Sequence, residues 1–111
     1  MPPTELADRY FTSVRACDID GFIALFAEDA TLVRPDGREL SGIAAIREME
    51  LGVFAVSPPK PSPVAIVAGE NSIAVELHVR LPDGTVRRMA NFFHLNAQGR
   101  IQRLSIYRQG G

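Results

Sequence analysis

A single cysteine, no excess of basic charge, no long apolar run and no internal repeat are the first features of this sequence of 111 residues. Cys17 alone cannot close an internal disulfide, and no second thiol stands at ligand spacing from it, which fits a reducing compartment. A formal net charge of -1 leaves no electrostatic footprint for a phosphate backbone, so nucleic acid is not an expected partner. No stretch approaches the roughly 20 apolar residues that a membrane-spanning helix needs. The opening MPPTELADRY has neither a basic segment nor an apolar one, and a cytoplasmic protein without a membrane partner is expected. No low-complexity segment interrupts the chain, so a single domain over residues 1–111 is expected, at a length that suits one hydrophobic core.

What is present reads as helices first and strands afterwards. Thr4 is a plausible N-cap, and Leu6, Tyr10, Val14 and Cys17 recur at the spacing of one helix face. Asp18 or Asp20 caps a second, shorter helix carrying Ile19, Phe22, Ile23 and Phe26, with Glu28 and Asp29 after its last turn. Ala30 to Arg34 reads as a strand whose alternation puts Leu32 and Arg34 on one face. If Leu32 points inward, that face must accept a cation. Pro35-Asp36-Gly37 is a turn, and Ser41 caps a third helix holding Ile43, Ile46 and Val53 and ending near Phe54. Ser57 to Pro63 has four prolines in seven positions and is expected to run as an extended, polyproline-like crossing.

Beyond this crossing the period changes to two. Val64–Ala68, Ser72–Leu81, Thr85–Asn96 and Arg100–Tyr107 are strand-like runs separated by Gly69-Glu70-Asn71, Pro82-Asp83-Gly84 and Ala97-Gln98-Gly99, and such tight connections imply an antiparallel meander. Ile73, Val75, Leu77, Val79 and Leu81 share one face; Ala74, Glu76, His78 and Arg80 share the other. A sheet with one oily face and helices with apolar stripes define the α+β class.

The runs Tyr10-Phe11 to Asp20-Gly21, Leu25-Phe26-Ala27-Glu28-Asp29-Ala30-Thr31, Pro35-Asp36-Gly37, Ser41-Gly42-Ile43-Ala44-Ala45-Ile46 and Gly99-Arg100-Ile101-Gln102 together resemble the nuclear transport factor 2-like superfamily. Within it the chain is most similar to ketosteroid isomerases and SnoaL-like proteins. The resemblance covers nearly the whole chain and implies a cone-shaped half-barrel, three N-terminal helices packed on a strongly curved, mixed but mostly antiparallel sheet, with the ligand cavity in its open mouth. It is much less specific for chemistry, because one fold hosts many reactions.

A ketosteroid isomerase uses a carboxylate base and hydrogen-bond donors for the dienolate oxygen, an Asp base with a Tyr and a protonated Asp as donors. By this resemblance the donor tyrosine falls on Tyr10 and the second donor on Asn91, whose amide donates without needing an elevated pKa. The base position falls on Arg34, which stays protonated and cannot abstract a proton. Tyr10 and Asn91 are therefore the candidate catalytic residues. Arg34 is a candidate ligand contact, together with Phe26, Met49, Phe54, Met89 and Phe93 as cavity lining. Glu39, Glu48 and Glu50 are each able to replace the base, and spacing singles out none.

Each of these residues also has a purely structural role open to it. Tyr10 is equally a core tyrosine bonded to backbone. Arg34 is equally a side chain that snorkels to solvent or pairs with Asp36 or Glu39. Phe and Met at core spacing ordinarily just fill space. Asn91 lies in phase with Met89, Phe93 and Leu95, a polar group among apolar neighbours that needs a partner. His78 and His94 fall on the polar face and complete no ligand pattern, so neither a metal nor a cofactor is expected. Arg88, Phe92, His94, Arg103, Ser105 and Tyr107 mix aromatics with charge on the outer sheet face, which suits a homodimer contact.

The expected function is small-molecule binding of the ketosteroid isomerase or SnoaL-like type. Its activity would be that of an isomerase or lyase without the usual base, acting on a small acid or polar carbonyl compound. The alternative is a noncatalytic ligand-binding or dimeric interaction module.

Overall fold

The computed structural model describes residues 1–56 and 60–110. Among these, the order is α1 (Pro3–Ala16), α2 (Ile19–Ile23), β1 (Phe26–Val33), β2 (Glu39–Ser41), α3 (Ile43–Val56), β3 (Lys60–Ala68), β4 (Ser72–Arg80), β5 (Val86–Leu95) and β6 (Ile101–Arg108). The strands form one six-stranded sheet in the order β2-β1-β6-β5-β4-β3. β1 and β6 run parallel, and the remaining neighbours pair antiparallel. The α+β expectation holds, as does the half-barrel: the sheet is mixed, mostly antiparallel and not closed into a barrel, and the helices lie against it.

Packing follows from the two-faced strands. Ile73, Val75, Leu77 and Val79 are buried on the inner side of β4, while Glu76, His78 and Arg80 are exposed. α1 covers β3 and β4, α3 covers β1 and β2, and α2 joins the two long helices. Nη1 of Arg15 donates to the Pro61 carbonyl at 2.9 Å and fastens the end of α1 to β3.

Several local expectations are corrected. α1 begins at Pro3, with Pro2 at the N-cap and no side-chain cap; proline presets the helical φ, so Thr4 is not needed there. Cys17 leaves the core stripe, because it terminates α1 in the left-handed conformation (φ 53°) and is exposed. Asp18 is the cap of α2 and accepts from the Gly21 N–H at 3.1 Å. Phe26 belongs to β1, which starts four residues before Ala30 and takes in Glu28 and Asp29. Ser41 ends the short strand β2 instead of capping α3, and Gly42 (φ 87°) turns the chain into that helix, a conformation glycine adopts without strain.

Of the proline-rich crossing, residues 57–59 lie outside the described residues, and Lys60 to Pro63 are already strand. Prolines are tolerated there because β3 is an edge of the sheet, where an absent N–H breaks no ladder bond on the open side. The strand shifts register between Pro63 and Ala65.

Phe93 is fully buried on β5 and meets Tyr10 edge to face at 5.0 Å. Phe93→Ala is expected to lower unfolding free energy by about 3–5 kcal/mol, read from urea denaturation; a cost near that of a surface substitution would contradict this packing.

Candidate functional site

Tyr10 is 5% exposed and stands among four phenylalanines. Ring centroids lie 5.0 Å away for Phe11 and Phe93, 5.3 Å for Phe22 and 6.5 Å for Phe26. Edge-to-face contacts of this kind favour one ring orientation. Burial, reinforced by the charge of Glu50, holds the phenol pKa well above its ordinary value. Tyr10 is therefore a neutral O–H donor throughout the physiological range.

Tyr10 opens onto a cavity of about 310 Å³ between α1, α3 and the inner face of the sheet. Asn91, Arg34, Met49, Met89 and Glu50 share its wall, which is otherwise mainly apolar. Asn91 is 3% exposed and lies between Val75 and Ile106 on the neighbouring strands. Such neighbours offer no polar side-chain atom, and Oδ1 of Asn91 has no hydrogen-bond partner among the described residues. An unsatisfied buried amide oxygen costs about 1–3 kcal/mol, a cost that a donor on a ligand would relieve.

Arg34 follows β1 at the mouth. It is half-buried and lines both this cavity and a more open groove of about 700 Å³ outside it. The partners foreseen for a surface role are occupied: Glu39 pairs with Arg103 at 3.6 Å, and Asp36 accepts from the Arg38 N–H at 2.9 Å.

The three carboxylates weighed as replacement bases separate by burial. Glu39 and Glu48 are exposed, whereas Glu50 is 7% exposed and faces the cavity. Burial pushes its carboxyl pKa up to about 7. Its position follows from helix phase, since Ile43, Ile46, Glu50 and Val53 fall at spacings of three, four and three along one face of α3. A carboxylate on an apolar helical stripe was thus the sequence signal that distinguishes Glu50 from its neighbours.

Of the expected lining, Met49 and Met89 are on the cavity wall with Tyr10, Asn91 and Arg34. Phe26 and Phe93, 1% and 0% exposed, stand behind the Tyr10 ring and are not on that wall, and half-buried Phe54 is not on it either. Arg87 and Leu77 are additional wall residues. Among the described residues no group of His, Cys, Asp and Glu is arranged to hold a metal ion, and no helix is long and apolar enough to cross a membrane.

The half-barrel with a cavity beneath its helices is that of the nuclear transport factor 2-like superfamily. The chain belongs to its SnoaL-like domain family, which matches residues 7–104. Among solved structures it is similar to a candidate ketosteroid isomerase from Kribbella flavida, at 20% identity and TM-score 0.88 over 98% of this chain and 78% of that one. It is similar to the epoxide hydrolase/cyclase-like enzyme SalBIII, which has a role in pyran ring formation in salinomycin, at 25% identity and TM-score 0.84 over 97% and 91% of the two chains. A ketosteroid isomerase-like fold from Catenulispora acidiphila, solved with trimethylamine, aligns at 16% identity and TM-score 0.83 over 96% and 86%.

The raised Glu50 pKa fixes the sign of a pH effect on stability. The folded state retains a proton that the unfolded chain releases near the ordinary value of 4.5, so stability is lost as pH rises from there through about 7, by about 3 kcal/mol in total. Glu50→Gln removes this dependence. Its melting temperature relative to wild type is expected to climb between pH 5 and pH 8, and parallel melting curves across that range would show that the carboxyl is solvated.

Proposed function

We propose that the chain binds a small acid or polar carbonyl compound in the cavity beside Tyr10, as an isomerase or lyase of the ketosteroid isomerase and SnoaL-like type. The observation that carries this reading is the Asn91 side chain, buried on an apolar sheet face in the same wall as Tyr10, its Oδ1 without a partner among the described residues. Core packing alone gives no reason to place two polar groups there. An oxygen-rich ligand does, because Tyr10 donates to an oxygen and the Asn91 amide is able both to donate and to accept. Arg34 at the mouth supplies a permanent cation for an acidic group.

Support comes from the relatives as well. SalBIII is described as epoxide hydrolase/cyclase-like and the Catenulispora protein was solved with a small organic molecule, which are properties of those proteins and consistent with this use of the fold. A noncatalytic binding protein is the second reading, favoured by the departure at Arg34, where the resemblance calls for a carboxylate base.

The reading extends to a homodimer in a reducing, cytoplasmic setting. On the outer face Phe92 and Tyr107 are 41% and 58% exposed and stack edge to face at 5.6 Å, flanked by exposed Arg88, His94 and Arg103, with Ser105 buried beneath them. An exposed aromatic pair rimmed by charge is suited to a self-complementary contact.

Two measurements test this. In thermal-shift screening, small carboxylic acids and ketones are expected to raise the melting temperature, and Arg34→Ala to abolish the shift for acids while sparing neutral ketones. Failure of every acid and ketone to shift the wild type would remove the proposal. Phe92→Glu with Tyr107→Glu is expected to convert a dimer to a monomer in light scattering; a wild-type monomer would remove the dimer.

A further inference from the structure

We infer that Glu50, on α3, is the proton-transferring carboxyl of the cavity, and that its substrate is a small monoanionic carbonyl compound, an oxo acid, with an acidic C–H next to the carbonyl. This rests on the proposed binding of small acids and carbonyl compounds and adds to it a catalytic residue and a substrate charge.

Ion pairs among the described residues join Arg9 to Glu5, Arg47 to Asp20 and Arg103 to Glu39, and Glu50 is in none of these. Buried carboxylates are ordinarily paired or hydrogen-bonded, so a structural explanation for Glu50 has no partner to name. Tyr10, Met49 and Val53 line the same wall, and the charge of Glu50 acts on the Tyr10 phenol. A buried, unpaired carboxyl facing a cavity that a substrate could fill has the placement of a general base. The raised pKa near neutrality suits that role.

Charge sets the substrate class. The titratable or charged groups facing Glu50 across the cavity are Tyr10 on α1, Arg34 after β1 and Arg87 on β5; β3, β4 and β6 contribute only apolar wall residues such as Pro61, Leu77 and Ile106. Arg87 is exposed and lies in the field of Asp83, whereas half-buried Arg34 is in none of the ion pairs above and is the cation that a single carboxylate on the substrate engages. Arg34 at the mouth then holds that carboxylate, with the carbonyl inward toward Tyr10 and Asn91.

The step needs no co-reactant. Ionised Glu50 takes the proton from the carbon next to the carbonyl. The C–H electron pair becomes the carbon–carbon double bond of an enolate, and the carbonyl π pair moves onto oxygen, where the Tyr10 hydroxyl and the Asn91 amide N–H donate to it. In heavy water the protonated Glu50 exchanges its proton for a deuteron from solvent, and transfer of that deuteron to carbon regenerates the carboxylate.

The experiment follows deuterium incorporation by proton NMR in pyruvate, 2-oxobutanoate and levulinate, with binding read by thermal shift on the same samples. Wild type is expected to exchange at least one of them above the buffer rate, with a rate that rises as a group near pH 7 loses its proton. Glu50→Gln is expected to slow exchange roughly 10²–10⁴-fold while keeping the thermal shift. Glu50→Asp, which retains the carboxyl, is expected to keep part of the rate, so a folding defect in one variant does not decide the result. Binding of the panel without exchange, exchange unchanged in both variants, or a rate that falls through pH 7 overturns the role of Glu50 and leaves the binding proposal intact. Neither binding nor exchange overturns both.

Discussion

Rings from four separate elements converge on one phenol: Phe11 from α1, Phe22 from α2, Phe26 from β1 and Phe93 from β5 all lie within 6.5 Å of Tyr10, centroid to centroid. The helices gain little by themselves, since a helix as short as α2 is unstable in isolation. Held between Tyr10 and Phe26, with Phe22 fully buried, it becomes a wedge between the long helices. The same contacts that close the core at this end fix the Tyr10 ring, and Tyr10 also lines the cavity. Core and site are in this sense one structure, and a change that loosens Phe22 or Phe93 is felt at the phenol.

At the other end the filling stops. Leu77 and Val79 on β4 and Ile106 on β6 continue the oily face of the sheet, but there they line the cavity. A sheet that curves without closing creates such a space wherever its helices are too few to cover the whole concave face. The polar groups then matter more than their number suggests. In a region of low dielectric an unpaired amide oxygen or carboxyl carries a large desolvation cost, so Asn91 and Glu50 reduce stability.

The sequence made the strands legible because alternation in Ser72–Arg80 is nearly unbroken and the turns between the strands carry Gly or Asn, whereas Val86–Leu95 mixes polar and apolar residues on both faces. It obscured the region from Phe22 to Ser41. There β1 begins with Phe26-Ala27, which reads equally well as the end of a helix, and the three residues of β2 are too short for any period to register. Tyr10, Asn91 and Arg34 were visible through their phase and through the family resemblance. Phe26 and Phe93 were assigned to the cavity because phase specifies a face and not a depth: they are on the inner side, one layer behind the phenol. Glu50 was left among three acidic residues because its place on the stripe already drawn through Ile43, Ile46 and Val53 was not weighed against the exposed phases of Glu39 and Glu48.

The charges at the two ends of the cavity are best understood as one arrangement. A guanidinium after β1 cannot be neutralised, so a half-buried Arg34 must be solvated at the mouth or compensated inside. A carboxyl on α3 lines the same cavity without forming an ion pair with it, and that separation leaves both groups able to engage something placed between them. Had they met in a salt bridge, the carboxyl would be held ionised and its pKa lowered by the arginine; the opposite shift shows that burial dominates. A cavity with its cation at the entrance and its titratable carboxyl against the inner tyrosine is polarised along its length, and a ligand whose anionic end faces out and whose carbonyl faces in matches that polarity. The resemblance to ketosteroid isomerases would put the acid on the strand. In the proposed scheme the charge types have changed places between strand and helix, while the donors on Tyr10 and Asn91 keep to the same wall.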